Sequence, residues 1–174
     1  KLERLVLKIR PDRIFHLAGQ ASIQESWKHP HATLEQNLIG ALNLFEAVRA
    51  ARLSPRIQVT GSAHEYGIPR GNVTRIDESV SMNPLSPYAV SKIGQDLLAA
   101  LYAARFGMKI VRVRAFNHIG PRQSPDFVTA DFARQVALIE AGRQEPEILS
   151  GNLDSVRDYT DVRDVARAYW LALE

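Results

Sequence analysis

Apolar residues along the chain follow two alternating patterns: short β-branched or aliphatic runs, and long segments in which apolar positions recur every three or four residues. Arg13 to Ala18, with Ile14, Phe15 and Leu17 after a Pro11-Asp12 turn signal, predicts a strand. Leu34 to about Arg52 predicts a helix, because Leu34, Leu38, Ala41, Phe45 and Val48 share one face. Thr33, with Gln36 three residues on, has the form of a capping box that would start it. Arg56 to Thr60 predicts a second strand that runs into a Gly61-Ser62 turn. A Gly/Pro/Asn-punctuated loop then leads to a second long helix from Ser86 to Phe106, with Ile93, Leu97, Leu98, Leu101 and Tyr102 as its apolar face. Gly107 suits a left-handed cap, and Lys109 to Ala115 is the clearest strand of the chain. Asn117 to Pro125 reads as a loop, and Asp126 as the cap of a helix carrying Val128, Phe132, Val136 and Ile139. Gly142 to Asp154 is turn-rich, and a last helix opens near Asp161 with Asp164 where the helix dipole favours a carboxylate.

Alternating strands and helices predict an α/β fold with a parallel sheet, and three such units make half of a doubly wound sheet. Leu2, Leu5, Val6 and Ile9 read as the tail of a helix, and the apolar positions near Glu174 are followed by no capping glycine or asparagine. The chain is therefore expected to be an internal fragment.

Composition works mainly by exclusion. With 45% hydrophobic and 24% charged residues and a net charge of +3, the chain has a globular composition, and its Lys and Arg residues form no stripe for nucleic acid. The absence of cysteine excludes a disulfide framework, a thiolate metal site and a cysteine nucleophile, and fits a reducing, cytoplasmic setting. No stretch approaches the roughly 18 apolar residues of a membrane span. His29-Pro-His31 lacks further ligands at a supportive spacing, so no metal is expected. Gly61-Ser62-Ala63-His64 is not the Gly-x-Ser-x-Gly turn of a hydrolase.

Ligands of open parallel sheets bind at the carboxyl ends of the strands, and the chain is polar just past Ala18, Thr60 and Ala115. Ser86-Pro87-Tyr88-Ala89-Val90-Ser91-Lys92 carries the sharpest chemistry. Tyr88 and Lys92 stand four apart, so phenol and ammonium share a helix face near its start. A cation within about 4 to 6 Å favours the phenolate, so Lys92 is expected to lower the Tyr88 pKa and make it a proton donor or acceptor.

These residues stand in company. Phe15-His16-Leu17-Ala18-Gly19-Gln20, Asn37-Leu-Ile-Gly40-Ala-Leu-Asn43-Leu44, Gly61-Ser62 with Tyr66-Gly67, Ser86-Pro87-Tyr88 with Lys92, Arg114-Ala-Phe116-Asn117-His118 with Gly120-Pro121, and Arg157-Asp158-Tyr159-Thr160-Asp161-Val162-Arg163-Asp164-Val165 follow in order. Together they resemble the extended short-chain dehydrogenase/reductase family of nucleotide-sugar epimerases, dehydratases and reductases. The resemblance implies a Rossmann-like doubly wound parallel sheet over residues 1–142 and part of a small substrate-binding region over 143–174. By position it implies Ser62, Tyr88 and Lys92 as catalytic residues. Leu17, Ala18, Gln20, Tyr88, Lys92 and His118 would bind a nicotinamide cofactor, NADP or NAD with NADP favoured. Ser62, Asn117 and Arg157 would bind a nucleotide-sugar substrate, Arg157 through its planar, two-pronged guanidinium. The family's Gly-x-x-Gly-x-x-Gly turn is not found after any strand, so the chain as given is expected to bind cofactor weakly. A homodimer through the two long helices is also implied.

Dehydratases of this family follow the catalytic hydroxyl with an acid and a carboxylate base, where this chain has Ala63 and His64. Glu65 is expected to point to the other face of an extended segment. Dehydration is thereby disfavoured, and the resemblance implies reduction at C4 of a GDP-4-dehydro-6-deoxy-mannose-type sugar, giving GDP-rhamnose. A 4-epimerase, a GDP-mannose 4,6-dehydratase-like enzyme and a non-catalytic nucleotide-sensing module on the same fold are the alternatives.

Overall fold

A computed structural model describes residues 1–69 and 75–174. The Gly/Pro/Asn-rich loop expected ahead of Ser86 lies partly outside the described residues. Two compact units are present, Lys1–Ala115 with Tyr169–Glu174, and Phe116–Ala168. Compactness divides the chain after Ala115 and again before Tyr169.

In the first unit, strands β1 (Arg13–His16), β2 (Arg56–Thr60) and β3 (Lys109–Val113) form a parallel sheet in the order β1-β2-β3. Ile57, Gln58 and Val59 are consecutive and all buried, so both faces of β2 are covered, as a central parallel strand requires. Helix α1 (Leu2–Ile9) contributes only Val6 to the core; its other apolar residues are exposed. After β1 come α2 (Ile23–Lys28), α3 (Pro30–Leu34), a single wide turn at Glu35–Ile39, and α4 (Gly40–Ala50). Helix α5 (Pro87–Phe106) precedes β3.

The helix expected from Leu34 therefore starts at Pro30, and Thr33 does not cap it: its hydroxyl is buried and donates to the His29 carbonyl at 3.0 Å. The wide turn inserts one extra residue and rotates the helix face, which turns Asn37 inward while Ala41, Leu44, Phe45, Ala47 and Val48 form the core side of α4. On α5 the apolar face was expected at Leu97 and Leu101, yet these are 57% and 58% exposed. The buried face carries Tyr88, Ser91, Lys92, Gln95 and Asp96, with Ala89, Ala99 and Tyr102 supplying the apolar contacts. Phe45 and Tyr102 pack in the core with their rings tilted by 40° and their centroids 5.3 Å apart.

The second unit holds a two-stranded parallel sheet, β4 (Asn117–Ile119) and β5 (Tyr159–Asp161), with α6 (Val128–Glu140) and the greater part of α7 (Val162–Leu171). Both strands lie in segments expected as loop or helix start; neither is long enough to show an alternating pattern. Asp126 accepts from the Ser124 hydroxyl at 2.7 Å and does not cap α6. The last turn of α7 belongs to the first unit, where Trp170 stacks on Phe15 at 6.1 Å and lies under Arg13. Among the described residues, no helix is long and apolar enough to cross a membrane.

Phe45 is fully buried, so Phe45→Ala should lower stability by about 3–5 kcal/mol, read as a lower midpoint in urea denaturation at unchanged slope.

Candidate active site

Ser86 starts α5: its hydroxyl accepts from the Ala89 N–H at 3.1 Å, and Pro87 occupies the first helical position, where its missing N–H costs nothing. This sets Tyr88 in the first turn and Lys92 one turn on. Lys92 Nζ, itself buried, donates to the Thr60 carbonyl at 2.8 Å and to Gln95 Oε1 at 3.1 Å. Thr60 ends β2, so the ammonium sits at the carboxyl end of the sheet. Ser62 lies two residues beyond, and its side chain is close enough to bear on the Tyr88 phenol, drawing its pKa down. The sequence-predicted trio of Ser62, Tyr88 and Lys92 is thus brought together at one strand end.

The expected effect of Lys92 on Tyr88 is not what the structure shows. Nζ lies 6.0 Å from the Tyr88 ring centre with its hydrogens directed to Thr60 and Gln95. Burial dominates instead and pushes the Tyr88 pKa up, with the Ser62 side chain drawing it partly back and the Glu65 charge adding to the rise. Burial also lowers Lys92, to about 8. Tyr88 is therefore held in its protonated form at neutral pH.

The segment after Ser62 is a tight turn, Ala63–Glu65, not an extended one. Glu65 folds back beneath it: Oε1 accepts from the Ser62 N–H at 2.8 Å, and Oε2 stands 3.1 Å from Arg114 Nε, an ion pair without hydrogen-bond alignment. Fully buried, Glu65 has its pKa raised to about 6 by desolvation, against the Ser62 backbone hydrogen bond that lowers it. It offers no base to a substrate. The signal for this role was readable, since Ser62-x-x-Glu65 is a capping box.

Past β1, Leu17 and Ala18 are exposed. Gln20 is tied down: its N–H donates to Asn37 Oδ1 at 2.8 Å, its carbonyl accepts from Asn37 Nδ2 at 3.0 Å, and its side-chain amide donates to the Ser22 carbonyl. Asn37 Nδ2 also donates to Ser91 Oγ on α5 at 2.9 Å. A Cβ on Gly19 would lie 2.6 Å from Asn37 Oδ1 and 3.8 Å from Lys92 Nζ, so this loop passes close to the ammonium and has no room there for a side chain. In the sequence Asn37 is one member of a longer motif, and its clamp role depends on the wide turn that faces it inward.

Asn117, His118 and Arg157 belong to the second unit. Asn117 and His118 lie on β4, and His118 Nδ1 is 3.3 Å from the Phe116 carbonyl. Arg157 is exposed and donates to the Val156 carbonyl at 2.7 Å, while Asp161 pairs with Arg163. Among the described residues no cluster of three or more His, Cys, Asp or Glu could hold a metal.

A parallel α/β sheet with a buried serine, tyrosine and lysine at its carboxyl end defines the short-chain dehydrogenase/reductase class of Rossmann-fold proteins. Residues 1–174 match the family model for GDP-mannose 4,6 dehydratase, and the chain belongs to that family. It is 38% identical to GDP-6-deoxy-D-mannose reductase of Pseudomonas aeruginosa over 159 residues, covering 91% of this chain and 52% of that protein. GDP-mannose 4,6-dehydratase of Yersinia enterocolitica is 34% identical, covering 99% and 46%. The structure of RMD from Pseudomonas aeruginosa complexed with NADPH superposes with a TM-score of 0.91 at 38% identity, covering 94% of this chain and 56% of that one. UDP-glucose 4-epimerase from Thermotoga maritima with UDP-glucose gives 0.86 at 31%, covering 99% and 55%. The chain spans about half the length of the curated relatives it matches.

Because burial holds Glu65 at about 6 against an ordinary 4.5, the folded state binds its proton more tightly than the unfolded state does. The stability tied to that proton is fully present below pH 4.5 and is lost as pH rises through 6. Between pH 4 and 7 the unfolding free energy of the unaltered protein should fall by about 2 kcal/mol relative to Glu65→Gln. A pH-independent difference in urea titrations would contradict this.

Proposed function

We propose that the protein carrying this chain reduces the C4 keto group of a GDP-4-dehydro-6-deoxy-mannose-type sugar, using NADPH or NADH. The observation that carries the reading is the buried Ser62–Tyr88–Lys92 cluster with Tyr88 kept protonated, which suits a group that gives a proton to a nascent alkoxide. The similarity to a GDP-6-deoxy-D-mannose reductase and to a structure complexed with NADPH supports the choice of substrate and cofactor. Residues 1–142 would serve cofactor binding and proton transfer and 143–174 substrate binding, a functional division in a cytoplasmic enzyme.

The residues present fit a nicotinamide ribose. Lys92 Nζ has two acceptors and a third hydrogen to give, beside the Gly19 loop, whose missing side chain lets the backbone pass close to the ammonium. Leu17, Ala18 and Gln20 border that loop, and we assign them, with His118, to the cofactor. When bound, the cofactor supplies the hydride. Ser62 donates to the developing C4 oxygen, Tyr88 delivers the proton, and Lys92 holds the ribose; Asn117 and Arg157 bind the sugar nucleotide, the guanidinium on its diphosphate. Ala63 supplies no acid, and the buried Glu65 supplies no base, for loss of water. A 4-epimerase would use the same trio without net consumption of cofactor, and the similarity to UDP-glucose 4-epimerase keeps that second reading in view.

Leu97 and Leu101, with Val90, leave an apolar stripe exposed along α5, and Ile39 is exposed beside α4. We assign this stripe to a homodimer contact between long helices.

Tyr88→Phe should lower NADPH oxidation with GDP-4-dehydro-6-deoxy-D-mannose at least about 100-fold at neutral pH, and undiminished turnover would remove Tyr88 from the mechanism. Stoichiometric cofactor consumption distinguishes reduction from epimerisation. Leu97→Glu combined with Leu101→Glu should convert a dimer to a monomer in sedimentation velocity; an unchanged mass would place the contact elsewhere.

A further inference from the structure

We propose that Glu65 is a positioning residue, whose buried carboxylate ties the Ser62 turn through Arg114 to Asp96 on α5 and so fixes the serine hydroxyl relative to Tyr88. The assignment rests on the roles proposed above for Ser62 and Tyr88. Glu65 cannot touch a substrate, being 0% exposed, and its reach is through the backbone: Oε1 holds the Ser62 N–H at 2.8 Å. From Oε2 the chain of contacts continues to Arg114 Nε at 3.1 Å, and from Arg114 Nη2 to Asp96 Oδ2 at 3.1 Å. Arg112 Nη1 donates to the same Asp96 oxygen at 2.7 Å, and Arg114 Nη1 donates to the Tyr66 hydroxyl at 3.1 Å. Asp96 lies on the helix that carries Tyr88, so the two reacting hydroxyls are braced against one another by charged contacts as well as by packing.

Gly61 completes the seat. A Cβ there would collide with Glu65 Oε1 and approach the Val113 carbonyl to 2.8 Å, so the strand end is stripped to backbone where the carboxylate lies. The Ser62 hydroxyl accepts from the His64 N–H at 3.2 Å, which anchors one lone pair and leaves its proton and other lone pair for Tyr88 and a substrate oxygen. A neutral glutamine could cap Ser62 without the desolvation penalty that raises the Glu65 pKa. What only the charge adds is the hold on Arg114, and through it on α5; burying an ion pair is a poor route to stability, which leaves registry as its use.

A mutant cycle in the active protein tests this, reading NADPH oxidation with GDP-4-dehydro-6-deoxy-D-mannose, with Tyr88→Phe as control. Glu65→Gln should lower kcat roughly 10-fold while leaving NADPH affinity within about 2-fold, because a misplaced hydroxyl harms the chemical step and not cofactor binding. In the Ser62→Ala background the same substitution should change kcat by less than about 2-fold, since the group it positions is gone. Arg114→Lys, which keeps a cation near Asp96 but loses the Nε contact, goes through the same cycle, so the test stands even if Glu65→Gln yields no folded protein. Equal losses in both backgrounds, or a loss in NADPH affinity, would overturn the assignment and leave the roles of Ser62 and Tyr88 intact. No turnover by the unaltered protein, or full turnover by Tyr88→Phe, would overturn the reduction reading and this assignment with it.

Discussion

Helix α5 buries a polar face, and most of the first unit is arranged around the need to satisfy it. Ser91, Lys92, Gln95 and Asp96 are withdrawn from water together with the Tyr88 phenol. Polar groups so placed cost several kcal/mol each unless they are hydrogen-bonded, and neighbouring elements bring partners to most of them, Gln95 Nε2 being left without one among the described residues. The end of β2 brings the Thr60 carbonyl to Lys92, the wide turn before α4 brings Asn37 to Ser91, and the strand end after β3 brings Arg114 to Asp96. Each partner also has a second task. Asn37 clamps the backbone of Gln20, and Arg114 faces Glu65 under the Ser62 turn. Satisfying one helix thus fixes the loops from which a cofactor and a substrate would be held.

The same burial sets the chemistry. Desolvation raises Tyr88 and lowers Lys92, so the pair drifts toward its neutral forms instead of toward a phenolate beside an ammonium. A site with that bias suits proton donation, the direction a carbonyl reduction requires. Glu65 has the opposite placement from the carboxylate base a dehydration would need: it is turned beneath the serine and engaged by backbone and arginine. Family membership alone spans dehydratases, a reductase and, by structure, an epimerase. The side chains after the serine bear on dehydration alone, and here they are alanine, histidine and an inward-facing glutamate.

Elements with a long, uniform period were legible: β2 falls at Arg56–Thr60 as expected, and α5 runs Pro87–Phe106 with Ser86 as its cap. Tyr88 and Lys92 were legible as a pair on one helix face, because helical spacing fixes them, whereas Ser62 joined them only through the resemblance of its motif. The apolar face of α5 was misread at Leu97 and Leu101, since periodicity finds an apolar stripe without saying which side is inside. Thr33 looked like a cap because Gln36 follows three residues on, but the helix already starts at Pro30, the proline standing at its first position, and Thr33 lies inside it. The short strands β4 and β5 exist only through their mutual pairing and leave no periodic trace in three residues each.

The sequence by itself determined the alternation of strand and helix, the start of α5 at Ser86-Pro87 and the spacing of Tyr88 and Lys92, because these depend on neighbours within a few residues. Only the tertiary structure decided which residues are withdrawn from water, and with that the protonation of Tyr88, the turning of Glu65 onto Ser62 and Arg114, and the clamp of Asn37 on Gln20. Burial and ion pairing join residues far apart along the chain, and a hydrogen-bond partner brought from elsewhere in the fold has no mark in local periodicity.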